Sequence, residues 1–148
     1  GIIDQPISCE RWIGIRGQPT TLRGNLLRSR SAAETPELGK AILAATAPDM
    51  FTTAAERNGF AHLQQACRFT RFGLDCYAYG LLAVGQIDLV CEASMKPHDI
   101  MALVPVVEGA GGIITDWAGK PFTLDGGSTQ VLAAGNKELH RAACTLLA

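Results

Sequence analysis

Three short apolar or β-branched runs open the chain, at positions 1–7, 11–16 and 20–27. Turn-forming residues separate them, first Pro-Ile-Ser at 6–8 and then Gly-Gln-Pro at 17–19. Short runs of this kind with turns between them are typical of antiparallel strands. The pattern therefore predicts a β-meander, followed by a polar, proline-bearing surface loop over 28–38.

Beyond this loop the pattern changes to short buried strands that alternate with helices. The apolar run at 41–47 ends in Pro-Asp and predicts a strand. Thr53 and Glu56 have the spacing of a capping box, which starts a helix towards Cys67, although Gly59 weakens the prediction that this helix is unbroken. Further strands are predicted at 68–72, 87–91, 113–117 and 130–134.

Helical spacing marks three further segments. The apolar stretch at 75–84 predicts a helix buried between layers. Apolar residues at i, i+3, i+4 and i+7 predict a helix after Pro97, and the same spacing predicts a terminal helix from Leu139. The fold class is thus a layered α/β domain over 39–148, with the order β-α-β-α-β-β-α, preceded by the meander in 1–38.

Composition narrows the range of functions. The chain has 148 residues, of which 47% are hydrophobic and 18% charged, enough for one globular core. Its formal net charge of −1 gives no electrostatic footprint for nucleic acid or an anionic membrane, and its longest apolar runs are too short to span a bilayer. Five cysteines without a CxxC pair indicate a reducing compartment. We expect a cytoplasmic protein, with an organelle-targeting segment before residue 1 left open.

Two carboxylates flank the turn between a predicted strand and the helix after Pro97. Glu92 ends the strand, and Asp99 lies at the start of the helix. Acids brought together at the edge of an α/β sheet indicate a site for a hard cation or a polar ligand. Each acid also has a structural alternative, since Asp99 is placed to cap the helix and Glu92 to be a solvated loop residue.

Three motifs resemble the C-terminal half of the inositol monophosphatase superfamily, and most of all its histidinol-phosphate phosphatase branch. They read Arg-Phe-Gly-Leu-Asp-Cys-Tyr-Ala-Tyr-Gly at 71–80, His-Asp-Ile-Met-Ala at 98–102 and Val-Glu-Gly-Ala-Gly-Gly at 107–112. The opening strands also look like those that follow the family's first metal motif. Two departures stand out, because His98 replaces the usual aromatic residue and Gly109 interrupts the Glu-Ala-Gly-Gly run.

The resemblance implies roles for five residues. Asp99 is expected to be a Mg²⁺ ligand, and no other residue of this half is expected to act in catalysis. The substrate-binding residues are expected to be Gly73, Leu74, Asp75 and Glu92. Asp75 marks the histidinol-phosphate branch, with the alternative that it caps the following helix. His98, beside the metal ligand, is expected to pack or to orient its neighbour and only last to bind metal.

The family's Glu-Glu pair and its Asp-Pro-Ile/Leu-Asp-Gly-Thr/Ser loop are absent from the 148 residues. We therefore expect a C-terminal part of a longer enzyme, in which 1–38 ends the sheet of the N-terminal domain, and we expect this part alone to be inactive. The complete enzyme is expected to be a homodimeric, Mg²⁺-dependent phosphomonoesterase for a small phosphorylated metabolite. Histidinol phosphate is the first choice and an inositol or other sugar phosphate the second. A non-enzymatic α/β fragment that only binds or dimerises is the remaining alternative.

Overall fold

The computed structural model describes residues 1–27, 37–123 and 128–147. A four-stranded antiparallel sheet occupies the start of the chain, with its strands in sequence order. This confirms the predicted meander, whereas the loop predicted at 28–38 lies outside the described residues up to position 36. The four strands are β1 (Ile2–Gln5), β2 (Glu10–Ile13), β3 (Thr21–Leu22) and β4 (Asn25–Leu26).

A five-stranded mixed sheet forms the centre of the part of the chain that follows the meander, with the strand order β6-β5-β7-β9-β8. Strand β5 runs parallel to β6 and β7, while β9 runs antiparallel to β7 and β8. The strands are β5 (Ile42–Ala45), β6 (Phe69–Phe72), β7 (Leu89–Glu92), β8 (Ile113–Thr115) and β9 (Val131–Ala134).

Four of the five α-helices among the described residues cover the two faces of this sheet. Helices α2 and α4 lie between the two sheets, and α1 and α5 cover the opposite face. Among the described residues, no helix has the length and apolar composition needed to cross a membrane. The helices are α1 (Ala54–Ala66), α2 (Tyr77–Ala83), α3 (Pro97–Ile100), α4 (Val104–Gly109) and α5 (Lys137–Leu147).

Alternation along the central strands divides the core into two apolar clusters. Leu43 and Ala45 of β5 join the cluster beneath α1 and α5, whereas Ala44 joins the cluster around α2 and α4. Successive side chains of a strand point to opposite faces, so a strand buried on both sides is apolar throughout. This explains why the predicted strands have few polar positions, and it confirms the layered α/β fold.

The predicted helix after Pro97 is wrong in one respect, because the chain forms two short helices there. Pro105 has no N–H to donate to the carbonyl of Met101, and its ring crowds that turn, so α3 ends at Ile100 and α4 begins at Val104. From β5 onwards the observed order is β-α-β-α-β-α-α-β-β-α, which has one strand and two helices more than the predicted order β-α-β-α-β-β-α.

Helix α1 is unbroken despite its glycine. The predicted capping box is present, with the Thr53 hydroxyl accepting from the backbone N–H of Glu56 and the Glu56 carboxylate accepting from that of Thr53. A Cβ at Gly59 would lie 3.3 Å from the carbonyl oxygen of Leu147 and 3.4 Å from the ring of Trp117. The glycine thus lets α5 approach α1 closely.

The meander docks on α2 and α4 through a buried tryptophan. Trp12 of β2 is fully buried, and a Cβ at Gly80 of α2 would lie only 3.0 Å from its ring. The ring of Tyr77 meets the ring of Trp12 edge to face, with 5.5 Å between centroids. Ile3 of β1 joins the same apolar cluster, so the two sheets share one core.

Backbone also meets backbone where the meander contacts α4. The Thr20 hydroxyl donates to the carbonyl of Val106 at 2.8 Å, and the Thr20 N–H donates to that of Gly109 at 2.9 Å. A Cβ at Gly14 would lie 2.4 Å from the carbonyl carbon of Pro105. Only glycine permits this approach, since a backbone atom has little room to move away.

We expect Gly14→Ala to destabilise the protein, because the added methyl group overlaps the backbone of Pro105. Overpacking of this kind costs about 1–3 kcal/mol of unfolding free energy. The matched control is Gly39→Ala, where nothing lies within 4 Å of the new Cβ. Urea denaturation measures both variants, and equal unfolding free energies for them would contradict the docking of the meander on α4.

Candidate active site

A cavity of about 370 Å³ lies beyond the carboxyl ends of β5 and β7. The chain goes from β5 to β6 on one side and later returns to β7 on the other, and ligands of α/β proteins bind at such a reversal of strand order. Three of the five predicted site residues line the cavity. Its lining consists of Thr46, Met50, Asp75, Cys76, Tyr79, Glu92, Met95, Asp99 and Leu103.

Glu92 is the buried carboxylate of this cavity, with 1% of its surface exposed. It is therefore not the solvated loop acid that was the structural alternative. The Thr46 hydroxyl donates to Oε1 and the Tyr79 hydroxyl to Oε2, both at 2.5 Å. Burial raises the pKa of the Glu92 carboxyl above its ordinary value, the two hydrogen bonds oppose this rise, and the negative charge of Asp75 adds to it.

Asp75 reaches the cavity from a strained turn before α2. Its φ is +47°, in the left-handed region, and the Gly73 two residues earlier has a φ of +83°. The N-cap of α2 is Cys76 and has no side-chain capping bond, so the capping alternative for Asp75 is not what the structure has. The exposed Asp75 side chain contributes negative charge beside Glu92 instead.

Gly73 and Leu74 are not part of the cavity lining. The N–H of Gly73 donates to the carbonyl of Thr46 at 2.9 Å, which ties the turn to the end of β5. Leu74 is half-buried and packs against the core around α2 and α4. In this geometry the two residues fix where Asp75 lies.

Asp99 lies at the rim of the cavity, exposed, at the third position of α3. Its Oδ2 accepts the backbone N–H of Lys96 at 3.0 Å, so it holds the helix start from within the first turn and is not the N-cap itself. Its Oδ1 lies 3.6 Å from Nε2 of His98, whose side chain is 77% exposed. His98 is thus beside Asp99, but it is not a packing residue.

Beyond the 3.6 Å contact with His98, Oδ1 of Asp99 accepts no hydrogen bond from the described residues, and a carboxylate oxygen at a cavity rim suits a hard cation such as Mg²⁺, which prefers oxygen ligands and retains water. Over 1–27, 37–123 and 128–147, no three His, Cys, Asp or Glu side chains are grouped closely enough to hold a metal ion. Asp99 therefore has the chemistry and the position of a single oxygen ligand for such an ion, and its role as a Mg²⁺ ligand stays a prediction.

Sequence reasoning missed the two hydroxyl groups that contact Glu92. Tyr79 lies on the fully buried face of α2, and Thr46 follows directly after β5. A signal for Tyr79 was present, because a buried phenol requires a polar partner. Thr46 gave no such signal, because only the pairing of β5 with β7 brings it beside Glu92.

We expect the Tm of Glu92→Gln, relative to that of wild type, to rise as the pH increases. The folded protein binds the Glu92 proton more tightly than the unfolded chain, whose glutamates titrate near about 4.3. The stability that Glu92 contributes is therefore complete below that pH and is lost as the pH rises through the raised folded-state pKa. Glu92→Gln should accordingly gain in Tm relative to wild type between about pH 4 and neutrality.

Glu10 supplies the control of opposite sign. Hydrogen bonds from Ser8 and Tyr77 lower the pKa of its half-buried carboxyl. Its contribution to stability is therefore present above the unfolded-state pKa and is lost as the pH falls through the folded-state pKa. Relative to wild type, Glu10→Gln should lose Tm as the pH rises. Thermal denaturation across this pH range tests both trends. If Tm changed with pH in the same way in wild type and in Glu92→Gln, the raised pKa of the buried Glu92 carboxyl would be contradicted.

The family model of the inositol monophosphatase family matches residues 1–148. The bifunctional phosphatase IMPL2, chloroplastic, of Arabidopsis thaliana is 45% identical over 149 residues, covering 97% of this chain and 42% of the plant protein. A histidinol-phosphatase of Chlorobaculum parvum is 25% identical over 151 residues, covering 95% of this chain and 57% of that protein.

An inositol monophosphatase from Zymomonas mobilis has a similar structure, with a TM-score of 0.91 and 42% sequence identity. The match covers 99% of this chain and 56% of the Zymomonas chain. This chain thus spans about half the length of the relatives that it matches. From its motifs, its fold and these matches, the chain belongs to the inositol monophosphatase family.

Proposed function

We propose that the complete protein is a Mg²⁺-dependent phosphatase for a small phosphate ester whose alcohol is cationic, with L-histidinol phosphate as substrate. In this proposal the present chain is the C-terminal part of that enzyme. It supplies the pocket for the alcohol and one metal ligand. The observation that carries the proposal is the convergence of Asp75, Glu92 and Asp99 on one cavity.

Charge in the cavity favours a cation. Three carboxylates line it, and the described lining contains no lysine, arginine or histidine. The Glu92 carboxyl is buried and accepts two hydrogen bonds, and a desolvated carboxylate gains most from a charged partner. An ammonium group supplies that partner, and a neutral polyol does not.

The same charges would repel a phosphate group that entered alone. A phosphate ester therefore needs positive charge at the rim of the cavity, where Asp99 lies. Bound magnesium would supply that charge and would activate a water molecule for attack on phosphorus. Asp99 would hold it together with ligands from the rest of the protein, and Asp75 and Glu92 would orient the alcohol.

The outer face of the meander supports a longer protein. Ile2, Ile13, Thr21 and Leu26 lie directly opposite one another across the four strands and form one row. The three aliphatic members of this row are 60%, 37% and 68% exposed. An apolar row of this kind is typical of a surface that another part of a protein covers, and the relatives have further chain to cover it.

An inositol or other sugar phosphate is the second candidate substrate. It is favoured by the Zymomonas structure, which is 42% identical and is described as an inositol monophosphatase. The homodimer stays a prediction from the family resemblance. The cytoplasmic location also stays a prediction, and the name of the plant relative places that protein in the chloroplast.

In the complete protein we expect Asp99→Asn to lower kcat by more than about a hundredfold, since even the partners of metal ligands are worth 10- to 100-fold. The fold should survive, because the asparagine oxygen can still accept the N–H of Lys96. The measurement is kcat against Mg²⁺ concentration, together with Tm. The control is Asp4→Asn, which removes an exposed ion pair with Arg11. A lower Tm with unchanged kcat would mean that Asp99 only caps the helix.

Asp75→Asn and Glu92→Gln should impair hydrolysis of histidinol phosphate more than hydrolysis of inositol 1-phosphate. A charge-assisted hydrogen bond is worth about 1.5–3 kcal/mol, which is on the order of ten- to a hundredfold in kcat/KM. Saturating Mg²⁺ keeps metal loss from imitating a binding defect. Equal losses on both substrates, or a wild type that prefers inositol phosphate, would remove histidinol phosphate as the substrate and favour the second candidate.

A further inference from the structure

Two hydroxyl groups fix the Glu92 carboxylate from different elements of the fold. Thr46 follows β5, Tyr79 lies on α2, and Glu92 is the last residue of β7. Each hydroxyl lies 2.5 Å from a different carboxylate oxygen, and all three residues line the same cavity. The carboxylate therefore cannot rotate without breaking a bond at each of its oxygens.

Both hydroxyls act as donors to a charged acceptor. Burial and the neighbouring Glu92 charge raise the pKa of the Tyr79 phenol well above its ordinary value, so the phenol keeps its proton. Threonine does not ionise at all. A carboxylate offers about four lone-pair sites, so the two hydroxyl bonds and the backbone contact from Thr46 still leave a site for a ligand in the cavity.

Burial alone would favour a neutral Glu92. The buried carboxyl is 1% exposed, and Asp75, Cys76, Cys91 and Tyr79 are the titratable groups that interact with it. None of these groups carries positive charge. The two hydroxyl bonds, with a smaller contribution from the backbone N–H of Thr46, favour the charged form, since hydrogen bonds to a carboxylate stabilise it.

We propose that Thr46 and Tyr79 are positioning residues for substrate recognition, which hold Glu92 as an oriented carboxylate that binds the cationic end of the substrate. The proposal rests on the proposed function for the identity of that substrate. It assigns the two hydroxyls a role in ligand affinity, beyond tying β5, β7 and α2 together. Neither residue is expected to touch the phosphate.

The test uses Thr46→Val and Tyr79→Phe in the complete protein, since each removes a hydroxyl with little change in shape. Thr46→Ser restores the hydroxyl and serves as the rescue. The matched control is Tyr77→Phe on the same helix, whose hydroxyl donates to Glu10 at 2.7 Å, away from the cavity lining. Each variant is measured by carboxyl-carbon NMR titration of Glu92 without ligand, with the resonance assigned by its loss in Glu92→Gln.

The titration should move to higher pH in Thr46→Val and Tyr79→Phe, and should stay in place in Tyr77→Phe and Thr46→Ser. KM for histidinol phosphate should rise about tenfold in the first two variants, as expected for loss of about one charge-assisted bond, while kcat changes less. The positioning role would be overturned if the Glu92 titration stayed in place in both variants. It would also be overturned if kcat and KM changed only in proportion to the loss of Tm.

Failure of the proposed function is distinguishable from failure of this inference. If wild type does not hydrolyse histidinol phosphate, the proposed substrate is wrong. The ligand-free titration still decides whether the two hydroxyls keep Glu92 charged, and binding of L-histidinol, followed by the same resonance, replaces KM. A titration that moves together with weaker L-histidinol binding supports the inference, and a titration that stays in place overturns it.

Discussion

The burial of one carboxylate at the end of a central strand is the constraint on which the site depends. Glu92 pairs through its backbone with β9, and its side chain lies between hydroxyls from β5 and α2. A buried charge without such partners is strongly destabilising. The strand order, the position of α2 and the turn that carries Asp75 must therefore all be in place for the cavity to keep its charge.

The architecture follows largely from periodicity, and its errors have local causes. Strands β5, β7 and β9 are apolar on both faces because helices cover both faces, which is why their short runs were recognisable. The helix after Pro97 was predicted as one because apolar spacing continues through it, whereas Pro105 interrupts its hydrogen bonds. The spacing of apolar residues indicates which face of a helix is buried, but it does not indicate whether the helix is unbroken.

For the site, the sequence located the acidic residues but did not show how deeply each is buried or which groups contact it. Asp75, Glu92 and Asp99 were predicted from motifs, and the structure brings them to one cavity. Sequence could not show that Glu92 is buried or that Thr46 supplies a partner, because Thr46 follows β5 and Glu92 ends β7, two strands that are adjacent in space while these residues are 46 positions apart in sequence. A local sequence pattern does not show which strands that are distant in sequence pair with each other.

The glycine contacts of the meander have a mechanical consequence. At Gly14 the meander meets the backbone of α4 with no side chain between them, whereas at Gly80 the Trp12 ring reaches the backbone of α2. Surfaces that interlock at backbone level have no layer of rotatable groups along which to slide. We therefore expect the meander and α4 to move together as one body at this contact.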